Sequence, residues 1–180
     1  LEANFKRWGT ELYQKARGEG SAEIVLQSAP KSIGKETTFS EDQKDPNHLK
    51  TTLSRLTAGA AGRLRRKKMT AKGVTLKIRF EDFDTKTLAT RLEPPTAIDR
   101  PLFEAVRGLL VRALQEKSKG RKVRLLGVYL GGLTPVSQQV QLFFEEENER
   151  DTRLIETVDR LRDRFGEGSL VSGKSIEGNI

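Results

Sequence analysis

Hydrophobic positions along this chain change period several times, and each change marks an element. Leu49, Leu53, Leu56, Ala60 and Leu64 recur at intervals of four, three, four and four, which places them on one helical face. Asp45-Pro46 stands just before them, an N-cap residue followed by proline at the first helical position. Arg63, Arg65, Arg66, Lys67 and Lys68 close the run, cations placed where the helix dipole favours them. The period then drops to two. Val74, Leu76, Ile78 and Phe80 alternate with Thr75, Lys77, Arg79 and Glu81, a half-buried strand with an apolar core face and a basic outer face. Phe83 to Thr87 reads as a polar turn, and Leu88, Thr90 and Leu92 as the returning strand, stopped at Pro94-Pro95.

A second helical period follows. Asp99 is expected to cap a helix whose stripe is Leu102, Ala105, Val106, Leu109, Leu110, Ala113 and Leu114. Ser118 to Gly120 turns the chain, and Val123 to Leu130, apolar on both faces, predicts a central strand. Upstream, Ser32 to Phe39 is a β-leaning stretch containing Gly34. The order is β-α-β-β-α-β. This is an α+β class, a four-stranded antiparallel sheet covered by two helices on one face, in a ferredoxin-like split arrangement. The leucine-rich stripes supply the core, since each fully buried Leu or Ile contributes about 1.5–3 kcal/mol. The opposite sheet face, with Thr75, Lys77 and Arg79, has nothing apolar to cover it.

Both ends are less regular. In residues 1–18, Leu1, Phe5, Trp8, Leu12 and Tyr13 have apolar helical spacing, broken at Gly9-Thr10, where Thr10 can cap a short helix. They are too few to bury a core alone. Residues 19–30 shift to Gly, Ser, Ala and Gln around Ile24-Val25-Leu26, the composition of a linker. Past the last strand comes Glu145-Glu146-Glu147, then an amphipathic helix in residues 151–180. Leu154, Val158, Leu161 and Phe165 share one face, and Gly166 ends it. That helix is expected to pack on its own domain or on a neighbouring molecule.

Composition narrows the chemistry. The 180 residues allow one ordinary domain, or one small domain with appended segments. With no cysteine there is no disulfide, thiolate nucleophile or cysteine zinc site, and the one histidine, His48, reads as a surface residue. No apolar run is long enough to span a bilayer, so a cytoplasmic protein is expected. The net charge of +8 is unevenly spread. From Gln138 onward there are 6 basic and 10 acidic residues, whereas the preceding residues hold 27 basic and 15 acidic. A basic body with an acidic tail is the footprint of a polyanion binder.

Several motifs then fall into place together. Lys31-Ser32-Ile33-Gly34-Lys35-Glu36-Thr37-Thr38-Phe39 resembles the signature that opens the little-finger domain of Y-family translesion DNA polymerases. Phe5-Lys6-Arg7-Trp8-Gly9, Leu12-Tyr13 and Ala16-Arg17-Gly18 are similar to the end of the thumb in the polymerase IV type. Arg124 to Leu130 resembles the last little-finger strand, and Asp159 to Gly166 a tail found in many bacterial members. The resemblance implies a thumb end at 1–18, a linker at 19–30 and a little finger at 31–135. It further implies a clamp-binding motif with acidic linker at 136–150 and a tail at 151–180.

The implied role is a sequence-independent grip on duplex DNA, the primer-template, through phosphates. A lesion-tolerant polymerase must hold any sequence, and phosphate contacts do that without reading bases. The expected DNA-binding residues are Lys31, Ser32, Ile33, Gly34, Lys35 and Thr37 in the opening signature, with Thr75, Lys77, Arg79 and Arg91 on the next strands. Gly34 is expected to let a phosphate approach closely. Where family members carry an Arg-Ser-Arg element this chain has Leu88-Ala89-Thr90, with Lys86 and Arg91 nearby, so a weaker grip is expected. Gln139-Val140-Gln141-Leu142-Phe143 resembles the pentapeptide that docks bacterial polymerases on the sliding clamp. Gln139 would hydrogen-bond while Leu142 and Phe143 fill a pocket. The parent polymerase would also have palm and fingers and would use Mg2+ bound by the palm. No catalytic residue and no cofactor are expected in this stretch.

Other readings weigh less. Glu81, Asp82 and Asp84 cluster after a strand and two of them could bind a metal, but with no third ligand from elsewhere evident they read as a solvated turn. Gly131-Gly132 lacks the lysine and spacing of a phosphate loop. An RNA-binding module shares the strand order but needs stacking aromatics where this chain has Thr75, Lys77 and Arg79. A protein-interaction module, with clamp contact as its main role, is the second alternative.

Overall fold

The computed structural model describes Phe5 and residues 7–19, 30–115, 120–136, 146–166 and 169–170. The elements are α1 (Arg7–Ala16), β1 (Ser32–Gln43), α2 (Pro46–Arg66), β2 (Met69–Phe80), β3 (Thr85–Thr96), α3 (Asp99–Gln115), β4 (Val123–Pro135) and α4 (Glu146–Phe165). Asp45 caps α2 as its sequence predicts. Its carboxylate accepts from the amides of Asn47 (2.9 Å) and His48 (3.2 Å), two of the donors a helix start leaves unpaired. At the other end Lys67 and Lys68 donate their amides to Leu64 and Arg65 carbonyls, and Lys68 turns the chain at φ 52°.

Strand order is β1-β4-β2-β3, every neighbouring pair antiparallel. β4 is therefore internal, as its two apolar faces predict, and β1 and β3 are the edges. Leu49, Leu53, Leu56, Ala60 and Leu64 of α2 and Leu102, Val106, Leu109, Leu110 and Ala113 of α3 are buried. They meet Val74, Leu76, Ile78 and Phe80 of β2 and Leu126, Val128 and Leu130 of β4 in one core. Both long helices lie on that side of the sheet.

Four expectations need correction. β3 does not stop at Pro94-Pro95. It resumes pairing at Thr96 after an irregularity opposite Ala71 to Gly73. Prolines cannot donate to a ladder, but on an edge strand with a bulge nothing requires them to. α1 runs unbroken through Gly9-Thr10, with Phe5, Trp8, Leu12 and Tyr13 exposed. His48 is half-buried, its ring 5.5 Å from that of Phe39. Asp99 opens α3 but turns its carboxylate to Arg65, while Thr96 accepts the Ile98 amide.

The tail helix α4 does pack on the domain, though by its charged side. Arg65 grips Asp159 with Nε (2.6 Å) and Nη2 (3.0 Å), and Arg66 pairs with Asp163 at 2.9 Å. Leu154 and Phe165 stay exposed, while the cations at the end of α2 hold Asp159 and Asp163.

Candidate nucleic-acid interface

In an antiparallel sheet, residues directly opposite one another project to the same side. The register therefore sorts every expected contact. Val74, Leu76 and Ile78 are buried toward the helices, so Gly73, Thr75, Lys77 and Arg79 face outward. Opposite them on β3 stand Arg91, Ala89, Thr87 and Thr85; opposite them on β4 stand Gly131, Tyr129, Gly127 and Leu125. β1 completes the face with Ser32, Gly34, Glu36 and Thr38. Thr75, Lys77, Arg79, Arg91 and Ser32 thus share one surface.

Ile33, Lys35 and Thr37 do not. They oppose Leu130, Val128 and Leu126 and project toward the helix layer. Ile33 is in the core, and the Lys35 stem crosses Gly59 of α2, where an added Cβ would meet it at 2.9 Å. Lys86 also points to the helix side, its ammonium 5.8 Å from the Phe80 ring centroid. Arg91 is exposed on the outer face. Lys31 precedes β1 and is exposed.

Two residues outside the expected set dominate the geometry. The Tyr129 ring lies against Gly34, where an added Cβ would come within 2.3 Å of it, and against Gly127, where the distance would be 3.1 Å. The room on the outer side of Gly34 thus houses an aromatic ring. The Tyr129 hydroxyl donates to Glu36 Oε2, and the same oxygen accepts from Lys77 Nζ at 2.9 Å. Hydrogen bonds from Tyr129 and then Lys77 hold the Glu36 carboxyl below its ordinary value. The carboxylate in turn pushes the Tyr129 phenol up to about 12. Arg79 donates Nε to Thr85 across the strand pair at 2.8 Å. The outer face is therefore less basic than the β2 alternation suggests: three cations, one already held by a carboxylate. The signal for this lay in two glycines beside a tyrosine, Gly34 opposite it on β1 and Gly127 two residues before it on β4.

Below the face, the acidic turn between β2 and β3 is closed by an arginine. Arg121 pairs with Asp82 and, at 3.1 Å, with Asp84, while the Lys122 amide donates to Glu81. Among the described residues no group of three or more Asp, Glu or His is placed to hold a metal ion, so the Mg2+ of a polymerase has no fitting site in them. Gln139, Leu142 and Phe143 lie outside the described residues. No helix among those described is long and apolar enough to cross a membrane.

The family model for the impB/mucB/samB family C-terminal domain matches residues 30–142, which takes in the whole sheet and both covering helices. The chain belongs to the impB/mucB/samB family. Among relatives of this C-terminal domain, a DNA polymerase IV of Desulfatibacillum aliphaticivorans is 32% identical over 173 residues, 94% of this chain and 43% of the relative. A DNA polymerase IV of Halorhodospira halophila is 37% identical over 140 residues, 76% of this chain and 37% of the relative. The chain therefore spans less than half the length of these curated relatives. In solved structures, a Y-family DNA polymerase chimera superposes with a TM-score of 0.58 at 21% identity, over 73% of this chain and 36% of that one. A DinB family error prone DNA polymerase from Sulfolobus solfataricus gives 0.52 at 20% identity, over 72% and 37%. The likeness to the C-terminal part of a Y-family polymerase IV, read from the opening signature, is borne out.

Proposed function

We propose that this domain is the little finger of a polymerase IV-type translesion enzyme in the bacterial cytoplasm, gripping duplex DNA by its phosphates without reading sequence. The observation that carries the reading is the uncovered sheet face. Arg79, Arg91 and Lys77 stand on it with hydroxyls of Thr75, Thr85 and Thr87 between them. Such a surface offers phosphate donors and no base-edge code. The one aromatic on this part of the face, Tyr129, is laid flat over glycines and bonded to Glu36, which disfavours a single-strand stacking platform. Gln139, Leu142 and Phe143 would dock a sliding clamp, and residues 1–18 would join the thumb. Synthesis would use Mg2+ held by the palm of the longer protein.

Fluorescence anisotropy with a random-sequence duplex and a single-stranded RNA, across a salt series, tests this. The expected result is sequence-blind duplex binding that weakens linearly on a log–log salt plot. The double variant Arg79→Glu, Arg91→Glu should flatten the slope by about 1.8, at about 0.9 per phosphate contact, and leave clamp binding intact. No duplex binding at low salt, or a preference for RNA, overturns the reading.

A further inference from the structure

We infer that Glu36 is a built-in phosphate surrogate: it occupies Lys77 on the sheet face and keeps that lysine out of the DNA grip. The inference rests on the duplex-binding reading above and adds a residue that limits it. Glu36 is on edge strand β1 and Lys77 on β2, with β4 between them. The residue both of them oppose is Gly127. An added Cβ at Gly127 would lie 3.0 Å from the Glu36 Cβ and 3.4 Å from its Oε2, so the carboxylate reaches Lys77 by crossing the space a side chain would fill. Tyr129 then fixes it. Its ring sits against Gly34 and Gly127, and its hydroxyl donates to the same Oε2 that Lys77 holds.

Oε2 thus receives an ammonium and a phenol together, the donor set a phosphate oxygen would take. A tethered carboxylate competes with DNA at high effective concentration, since it pays no cost of association. Lys77 and Glu36 keep 28% and 41% side-chain exposure, so the pair sits where a phosphate would arrive and is not core structure. Arg79 and Arg91 make no direct ion pair among the described residues: Arg79 is bonded to the Thr85 hydroxyl and feels the Glu36 carboxylate only through space. Of the three cations on the β2–β3 face, Arg79 and Arg91 are thereby left for phosphates, which favours a hold weak enough to be released.

The test is the salt dependence of duplex binding for the whole chain, its Glu36→Gln and Lys77→Ala variants and the double variant, with folding checked by circular dichroism. Glu36→Gln should free Lys77 and steepen the slope by about 0.9, so the fall in affinity between about 50 and 200 mM salt grows about threefold. Lys77→Ala alone should leave the slope unchanged, while adding it to Glu36→Gln should return the slope to that of the unaltered chain. An unchanged slope in Glu36→Gln, or a flatter one in Lys77→Ala alone, overturns the inference while leaving the grip itself intact. If neither the unaltered chain nor Glu36→Gln binds duplex, the underlying reading falls and this inference with it.

Discussion

Arg65→Met would remove the tie that joins three elements. Arg65 lies in the last turn of α2 and donates from Nη1 to Asp99 (2.6 Å) and the Ala97 carbonyl (2.7 Å), and from Nε and Nη2 to Asp159 of α4. Four donations from one guanidinium satisfy almost everything it can give. Its side chain keeps 16% exposure, with Asp159 at 18% and Asp99 at 31%. Removing one partner of a buried charge pair costs about 3–5 kcal/mol. These groups are wet enough to discount that to about 2–3 kcal/mol, part of it from undocking α4. Thermal and urea unfolding at pH 7 should show it, with a melting point lower by about 5–10 °C and faster proteolysis within α4. Acid gives a second handle. Burial already raises the Asp99 carboxyl above its ordinary value despite Arg65. Without Arg65 that rise grows, so the folded variant binds a proton that the unfolded chain has released. Its stability then falls as pH climbs through that window, and the deficit should shrink as pH drops from 7 toward about 4. A loss below about 0.5 kcal/mol, or a deficit that widens on acidification, would refute the assignment of Arg65 as the clasp.

Two further outcomes are expected. Thr52 is buried in α2 and its hydroxyl has no hydrogen-bond partner, so Thr52→Val should stabilise the fold by about 1 kcal/mol and raise the melting point by about 2–4 °C; a lower melting point would show that the hydroxyl is satisfied. Absorbance titration of the tyrosines should find Tyr129 ionising at about 12, and Glu36→Gln should bring it back toward 10.0. Because the folded value is raised, the Tyr129 contribution to stability is whole below pH 10.0 and is lost between 10.0 and about 12, which alkaline unfolding of the two proteins can compare.

The elements themselves were written locally. The Leu49 to Leu64 stripe, the Val74 to Phe80 alternation and the Asp45 cap depend on periods and hydrogen bonds within a few residues, and the structure matches them. Even the inward parity of Lys35 and Thr37 was legible, since Ile33 and Phe39 share it, although the signature includes inward and outward residues alike. The length of β3 was not, because tolerance of Pro94-Pro95 depends on its lying at an edge. Nor was the docking mode of α4, whose apolar stripe suggested a seat that the cationic end of α2 does not offer.

Which cations remain available was settled by tertiary pairing alone. Glu36 reaches Lys77 because β4 inserts between β1 and β2 and presents Gly127 at the crossing. Arg65 reaches Asp159 from 94 positions away. Sequence period fixes the side on which a residue projects, because that follows from the backbone repeat. The charge facing it is chosen by strand order and helix docking, which depend on packing between distant segments and leave no local mark.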